Sequence, residues 1–299
     1  MKNILTKLTE TEATAITDTH LENFLTHLKS AGRAPATISQ YSRTVRSLQS
    51  WLSGRPLTPE LLMEWKTHLT GIFAPSSTNA ALAAVNSFLI CMKREPGRAP
   101  GWDAFEKLSY LKVQRRTFCE KDRVLEEKEY EHLIRTAREQ GDEKTALLLE
   151  TICALGIRVS ELAYITVEAL KQKKAVVSLK GKIRTILISN SLALKLRDYV
   201  RKNHITSGAV FVTRTGNPVS RGWVWLKMKK LAEASRVEAG KVFPHNLRHL
   251  FARTHYKMYK DISKLADLLG HSSINTTRIY LLESGEEHAL QLEQLGLVL

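Results

Sequence analysis

AVVSLKGKIRTILIS, residues 175–189, alternates apolar and polar positions on either side of a central GKIRT. A period of two marks a β-hairpin with one covered face, and it sets Lys182 near the turn. Outward from this stretch the period changes to that of a helix. EEKEYEHLIRTAREQG (126–141) reads as a capped amphipathic helix, and TALLLETICALG (145–156) as a largely buried one ended by Gly156. From Ser191 the chain is helical again, with a short strand AVFVT (209–213) intervening. Helices gathered about one small sheet make this region mainly α with a small β-sheet, an α+β fold.

The part before it is helical throughout. Asp18 or Thr19 caps a first helix carrying Leu21, Phe24, Leu25 and Leu28. Thr37 opens a second with Ile38, Tyr41, Val45, Leu48 and Trp51, and Pro59 starts a third with Leu61, Leu62, Trp65 and Leu69. PSSTN (75–79) caps a fourth, with Leu82, Val85, Phe88 and Leu89 on its apolar face. REPGRAPGW (94–102) breaks the pattern before a short helix or turn up to Tyr110. KVQRRTFCEKDR (112–123) is basic, without apolar period, and reads as a linker. The expected organisation is a helical domain over 1–110, a linker over 111–123, and a second domain over 124–299 that ends in a tail helix.

Composition narrows the partner. The chain has 299 residues, 43% hydrophobic, and a formal net charge of +15, which points to a polyanion. No run of about 18 apolar residues offers a membrane span, and MKNILTKLTETEAT lacks the apolar core of a signal peptide. Cys91, Cys119 and Cys153 are too scattered for a disulfide framework or a zinc pattern. The expected location is cytoplasmic, at the nucleoid if that polyanion is DNA.

Several chemistries are missing from the pattern. GKIR (181–184) is not part of a nucleotide-binding G-x-x-x-x-G-K-[ST] loop. HNLRH (245–249) has histidines at the spacing of a helical zinc pair, but it lacks the glutamate of H-E-x-x-H and carries an arginine beside them. Carboxylate clusters for paired magnesium ions are not seen near these motifs. The expectation is therefore no metal and no cofactor, with phosphate chemistry run by side chains alone. Such chemistry needs positive donors on the non-bridging oxygens, a nucleophile and a proton for the leaving oxygen. Arginine suits the clamp through its permanent charge and paired donors. Lysine among other cations suits the proton donor.

Four stretches supply such residues in order: ALGIRVSELAYI (154–165), LKGKIRTILI (179–188), FPHNLRHLFA (243–252) and LLGHSSINTTRIY (268–280). They resemble the successive active-site boxes of the tyrosine recombinase, or phage integrase, family. The helical first part is similar in layout to that family's core-binding domain. The resemblance implies a two-domain clamp round DNA, formed by a helical core-binding domain and a catalytic domain. It implies a site-specific recombinase that cuts and rejoins strands through a 3′-phosphotyrosine and a Holliday junction. Arg158 and Arg248 would grip the scissile phosphate and Tyr280 would attack it. His245 would move the tyrosine's proton, and His271 would donate to a non-bridging oxygen. Lys182 would protonate the 5′-oxygen, with Lys180 the alternative because the turn is shorter than the family's GKGNKER form. Glu161, three residues after Arg158, would orient it, and His249 would support the site by packing.

The polar faces of the second and fourth helices make Thr37, Ser39, Gln40, Arg43, Arg46, Ser76, Ser77, Thr78 and Asn79 candidates for the major groove, and in the second domain Arg214, Arg221, Lys227, Lys229 and Lys230 are candidates for phosphate contacts. The partner is a double-stranded recombination site. EEHALQLEQLGLVL (286–299) ends in exposed apolar residues and is expected to dock on a neighbouring protomer in a tetramer. Only about 17 residues precede the first helix, which argues against a separate arm-binding domain. Alternatives are a type IB topoisomerase-like nicking and closing enzyme, or a catalytically silent DNA-binding relative.

Overall fold

The structure is a computed structural model and describes residues 14–95, 100–113, 123–179, 182–281 and 292–295. Its contacts divide the chain into two compact units, Met1–Arg115 and Arg116–Leu299. Most of the linker expected over 111–123 lies outside the described residues, as do Cys119 and most of the tail.

The first unit is built from α1 (Asp18–Ser30), α2 (Pro35–Leu52), α3 (Pro59–Ile72) and α4 (Pro75–Arg94), followed by a 3₁₀ turn at Pro100–Ala104. Apolar residues at 3–4 spacing make each helix two-faced. Leu21, Phe24, Val45, Leu48, Trp65, Leu82 and Phe88 form its core with Trp102 and Phe105. The start signals fall one or two residues from their sequence positions. Thr17, not Asp18 or Thr19, caps α1 by accepting from the backbone of His20. Proline occupies the first turn of α2 and of α4, so those helices begin ahead of Thr37 and of the serines. Asn86 is buried and holds the chain after the 3₁₀ turn by exchanging two hydrogen bonds with Leu108.

The second unit opens with α5 (Glu127–Glu139) and α6 (Glu143–Leu155), then a 3₁₀ turn at Val159–Tyr164 and α7 (Val167–Gln172). β1 (Lys174–Leu179) and β2 (Lys182–Leu187) pair antiparallel, with Leu179 opposite Lys182. There follow α8 (Asn190–Lys202), α9 (Arg221–Ser235), α10 (Pro244–Tyr259), α11 (Ile262–Leu269), α12 (Ile274–Arg278) and a 3₁₀ turn at Ile279–Leu281. Leu133, Leu149, Ile152, Val177, Ile186, Leu196, Met228 and Leu247 belong to its core. The strand expected at 209–213 is absent. Ala209 and Val212 make only single bridges, to Thr166 and Pro218, while Val210 and Phe211 are buried. Burial alone accounts for the apolar run there, without a ladder. Among the described residues no helix is long and apolar enough to cross a membrane.

Candidate active site

One helix carries much of the site. α10 begins at Pro244, whose missing N–H suits the first turn. Positions 245, 248, 249 and 252 then share a face by helical spacing. His245 and His249 stack edge to face at 5.0 Å. Arg248 is 1% exposed and points into the protein. Its Nη1 donates to the carbonyl of Gly156 across 2.5 Å, and its Nη2 donates to the carbonyl of Leu269 across 2.7 Å and to Nε2 of His271 across 2.8 Å. This one guanidinium ties α10 to the end of α6 and to the turn after α11.

Glycines make those turns possible. Gly156 ends α6 at φ +57°, and a Cβ there would run into the ring of Phe251. Gly270 ends α11 at φ +65° and sets His271 just beyond it. Nδ1 of His271 lies 2.9 Å from Oγ1 of Thr277.

Arg158 is the N-cap of the 3₁₀ turn that follows Gly156 and Ile157. Glu161 accepts from its backbone N–H across 2.7 Å and from its Nη1 across 3.2 Å. The carboxylate is 3% exposed at its side chain, whereas the Arg158 side chain is 44% exposed. The buried acid thus anchors a cation that reaches outward.

Tyr280, in the 3₁₀ turn after α12, closes the cluster. Its ring is buried among Ala252, Leu265 and Leu269. The ring centroids of His249, His245 and His271 lie 4.2, 5.3 and 5.3 Å from it, and the Arg248 guanidinium carbon lies 5.8 Å away. All three histidines are held towards the neutral form. Burial, followed by Arg248 and Arg158, lowers His245. Burial, then His245 and Arg253, brings His249 down to about 4. Burial, then Arg248 and Arg158, brings His271 down to about 4. A neutral His245 beside a phenol is a base and can take its proton.

Arg158, Glu161, His245, Arg248, His249, His271 and Tyr280 are therefore brought to one locality. Lys182 occupies the first position of β2, and its side chain, like all of Lys180, lies outside the described residues. Arg184 belongs to the cluster although the motifs did not single it out. It donates to Glu161 across 2.5 Å. The available signal was its strand position two residues beyond Lys182.

The DNA-contact candidates divide. Ser39, Arg43 and Arg46 are exposed at i, i+4 and i+7 on α2, with Gln40 exposed and Thr37 half-buried. Ser77, Arg214 and Arg221 are also exposed. Three others are occupied. Thr78 is fully buried. Asn79 exchanges hydrogen bonds of 2.7 and 2.9 Å with the backbone of Leu111. Lys227 pairs with Asp142 at 2.7 Å and lies over the Trp223 ring. In the free protein the polar groups of Asn79 and Lys227 are engaged in these internal contacts. A cavity of ≈ 910 Å³ lined by Lys144, Lys195, Tyr199 and Arg214 contains none of the catalytic candidates. Among the described residues no group of three or more His, Cys, Asp or Glu side chains could hold a metal ion.

Residues 123–287 match the model of the phage integrase family. The chain belongs to this family. Relatives within it include tyrosine recombinase XerD of Vibrio cholerae, 26% identical over 83% of this chain and 86% of its own. Tyrosine recombinase XerA of Thermococcus kodakarensis is 27% identical over 92% of this chain and 96% of its own. The fold is shared with a λ integrase tetramer bound to a Holliday junction, at a TM-score of 0.72 and 18% identity over 92% of this chain and 80% of that one. It is shared also with XerH in a post-cleavage complex on a palindromic difH substrate, at 0.71 and 15% over 90% and 82%.

Proposed function

We propose that this protein is a site-specific DNA recombinase whose nucleophile is Tyr280. The observation that carries the reading is the Tyr280 ring, buried against three neutral histidines and beside the Arg248 guanidinium. Arg158 and Arg248 grip the non-bridging oxygens of the scissile phosphate. Tyr280 Oη bonds to phosphorus as its proton passes to His245. The bond to the 5′-oxygen breaks, and Lys182 (or Lys180) protonates that oxygen. The 5′-hydroxyl of a second duplex then attacks the phosphotyrosine in the reverse sense and displaces Tyr280. The covalent bond conserves the phosphodiester energy, so joining needs no nucleotide.

Charge and family support a double-stranded DNA site as partner, with four protomers on the exchanged junction. Docking of the tail on a neighbour is part of the same reading. Of that tail only 292–295 are described, where Leu292 and Leu295 are 68% and 61% exposed. Truncation at Ser284 is expected to leave binding to one site intact and to abolish junction formation between two. Full recombination by the truncated chain would remove the tail from the mechanism.

The test of the reading is a duplex nicked beside the cleavage site, obtained by letting the wild-type protein select from a randomised pool. Wild type accumulates a covalent adduct on it and, with intact sites, a four-way junction. Tyr280→Phe binds but yields neither. Adduct without any junction would point to nicking and closing instead.

A further inference from the structure

Arg184 stands where three parts of the site meet. Its side chain is 14% exposed, and its Nη2 donates to Oε2 of Glu161 across 2.5 Å. Its Nη1 donates to the carbonyl of Leu268 across 2.7 Å, at the turn that leads to His271. Its Cδ occupies the space that a Cβ on residue 270 would take, so Gly270 lets the arm through.

Charge makes the placement consequential. Glu161 is buried, and a buried carboxylate requires a matching cation. The Arg158 guanidinium reaches it through Nη1 only, on the other oxygen, while the Arg158 backbone N–H shares Oε2 with Arg184. With Arg184 in place, Glu161 and Arg184 cancel, and Arg158 keeps a whole positive charge for something outside. Without Arg184, Arg158 becomes the remaining guanidinium on a buried anion. Attraction in that low-dielectric setting draws Arg158 inward and offsets its charge.

We propose that Arg184 is a positioning residue for phosphate capture. It neutralises Glu161, so that Arg158 stays open to the scissile phosphate, and it steadies the turn before His271. The proposal rests on Arg158 gripping that phosphate, as in the function above.

Cleavage rates on the selected, nicked duplex test it, using one version with an ordinary scissile phosphodiester and one with an uncharged methylphosphonate. Arg184→Met keeps an aliphatic arm past Gly270 and removes the guanidinium. It is expected to cleave the phosphodiester about 100-fold more slowly, the scale of a displaced catalytic group. Binding should stay within about twofold, because most phosphate contacts lie elsewhere. The deficit should largely vanish on the methylphosphonate, which demands less positive charge. Arg158→Ala should show the same recovery. The double variant Glu161→Gln with Arg184→Met removes the uncompensated acid, and it should cleave faster than Arg184→Met alone even if that variant is poorly folded. An equal deficit on both substrates, no deficit on either, or no gain in the double variant would overturn the proposal. Recovery by Arg158→Ala but not by Arg184→Met defeats the Arg184 inference alone. Recovery by neither defeats the reading of Arg158 as well.

Discussion

Arg248 donates from Nη2 to Nε2 of His271 across 2.8 Å. An arginine has no acceptor, so Nε2 of the neutral ring accepts, and the ring proton resides on Nδ1, facing Oγ1 of Thr277 at 2.9 Å. In this arrangement His271 has no Nε2 proton to give a phosphate. Burial lowers its pKa first, and Arg248, Arg158, Arg184 and His245 add to the effect, down to about 4. An anion seated between the arginines cancels part of that repulsion.

Binding of the scissile phosphate is therefore expected to raise the His271 pKa from about 4 towards the ordinary 6.5 and to make Nε2 a donor. Nitrogen NMR of labelled histidine would follow it, with the Nδ1–H tautomer in the free protein and a protonated ring on DNA. A tautomer and titration unchanged by DNA would contradict this.

His249 makes stability depend on pH. Its folded pKa of about 4 lies below the ordinary 6.5, mainly through burial. As pH falls below 6.5 the unfolded chain takes up the proton first, so stability is complete above that pH and is lost towards pH 4. The melting temperature is expected to drop by on the order of 5 °C over this window. His249→Phe keeps an aromatic ring against Tyr280, and calorimetry should show a shallower decline.

Gly156 and Gly141 both have positive φ, at +57° and +71°, but only Gly156 meets a neighbour, the Phe251 ring. Gly141→Ala should cost about 1 kcal/mol from backbone strain alone. Gly156→Ala should cost about 3 kcal/mol by adding overpacking. Since the Gly156 carbonyl accepts from Arg248, cleavage should slow in that variant only. Chemical denaturation with the adduct assay separates the two effects.

The general acid is tested with a 5′-bridging sulfur, a leaving group that needs little protonation. Lys182→Ala is expected to be strongly impaired on the oxygen substrate and restored on the sulfur one. If Lys180→Ala alone is restored, the acid is Lys180.

The hairpin, the paired helices Glu127–Glu139 and Glu143–Leu155, and the four-helix layout of the first unit were legible in the sequence because apolar periodicity reports which face is covered. Termini were less so. Thr58 and Ser189 cap their helices by side chain, but α2 and α4 start on proline after an uncapped alanine. AVFVT carries the apolar content of a strand and is buried without one. An aromatic residue does not by itself report burial either: Tyr259 is 62% exposed, whereas Tyr256 on the same helix packs against the Tyr280 cluster. The ordered motifs already grouped Arg158, His245, Arg248, His271 and Tyr280 in sequence, and the fold sets them side by side. Arg184 could not be grouped with them in this way, because its part depends on a glycine 86 positions later and on Glu161, and only the fold brings these together. Asn79 and Lys227 show the converse, since a polar side chain in sequence does not reveal that a backbone or an acid already engages it in the free protein.

The most direct measurement is the identity of the residue joined to DNA. Wild-type protein trapped on the nicked duplex, digested and sequenced by mass spectrometry should carry its nucleotide on Tyr280. A nucleotide found on Tyr256, Tyr259 or any other residue would contradict the assignment of the nucleophile.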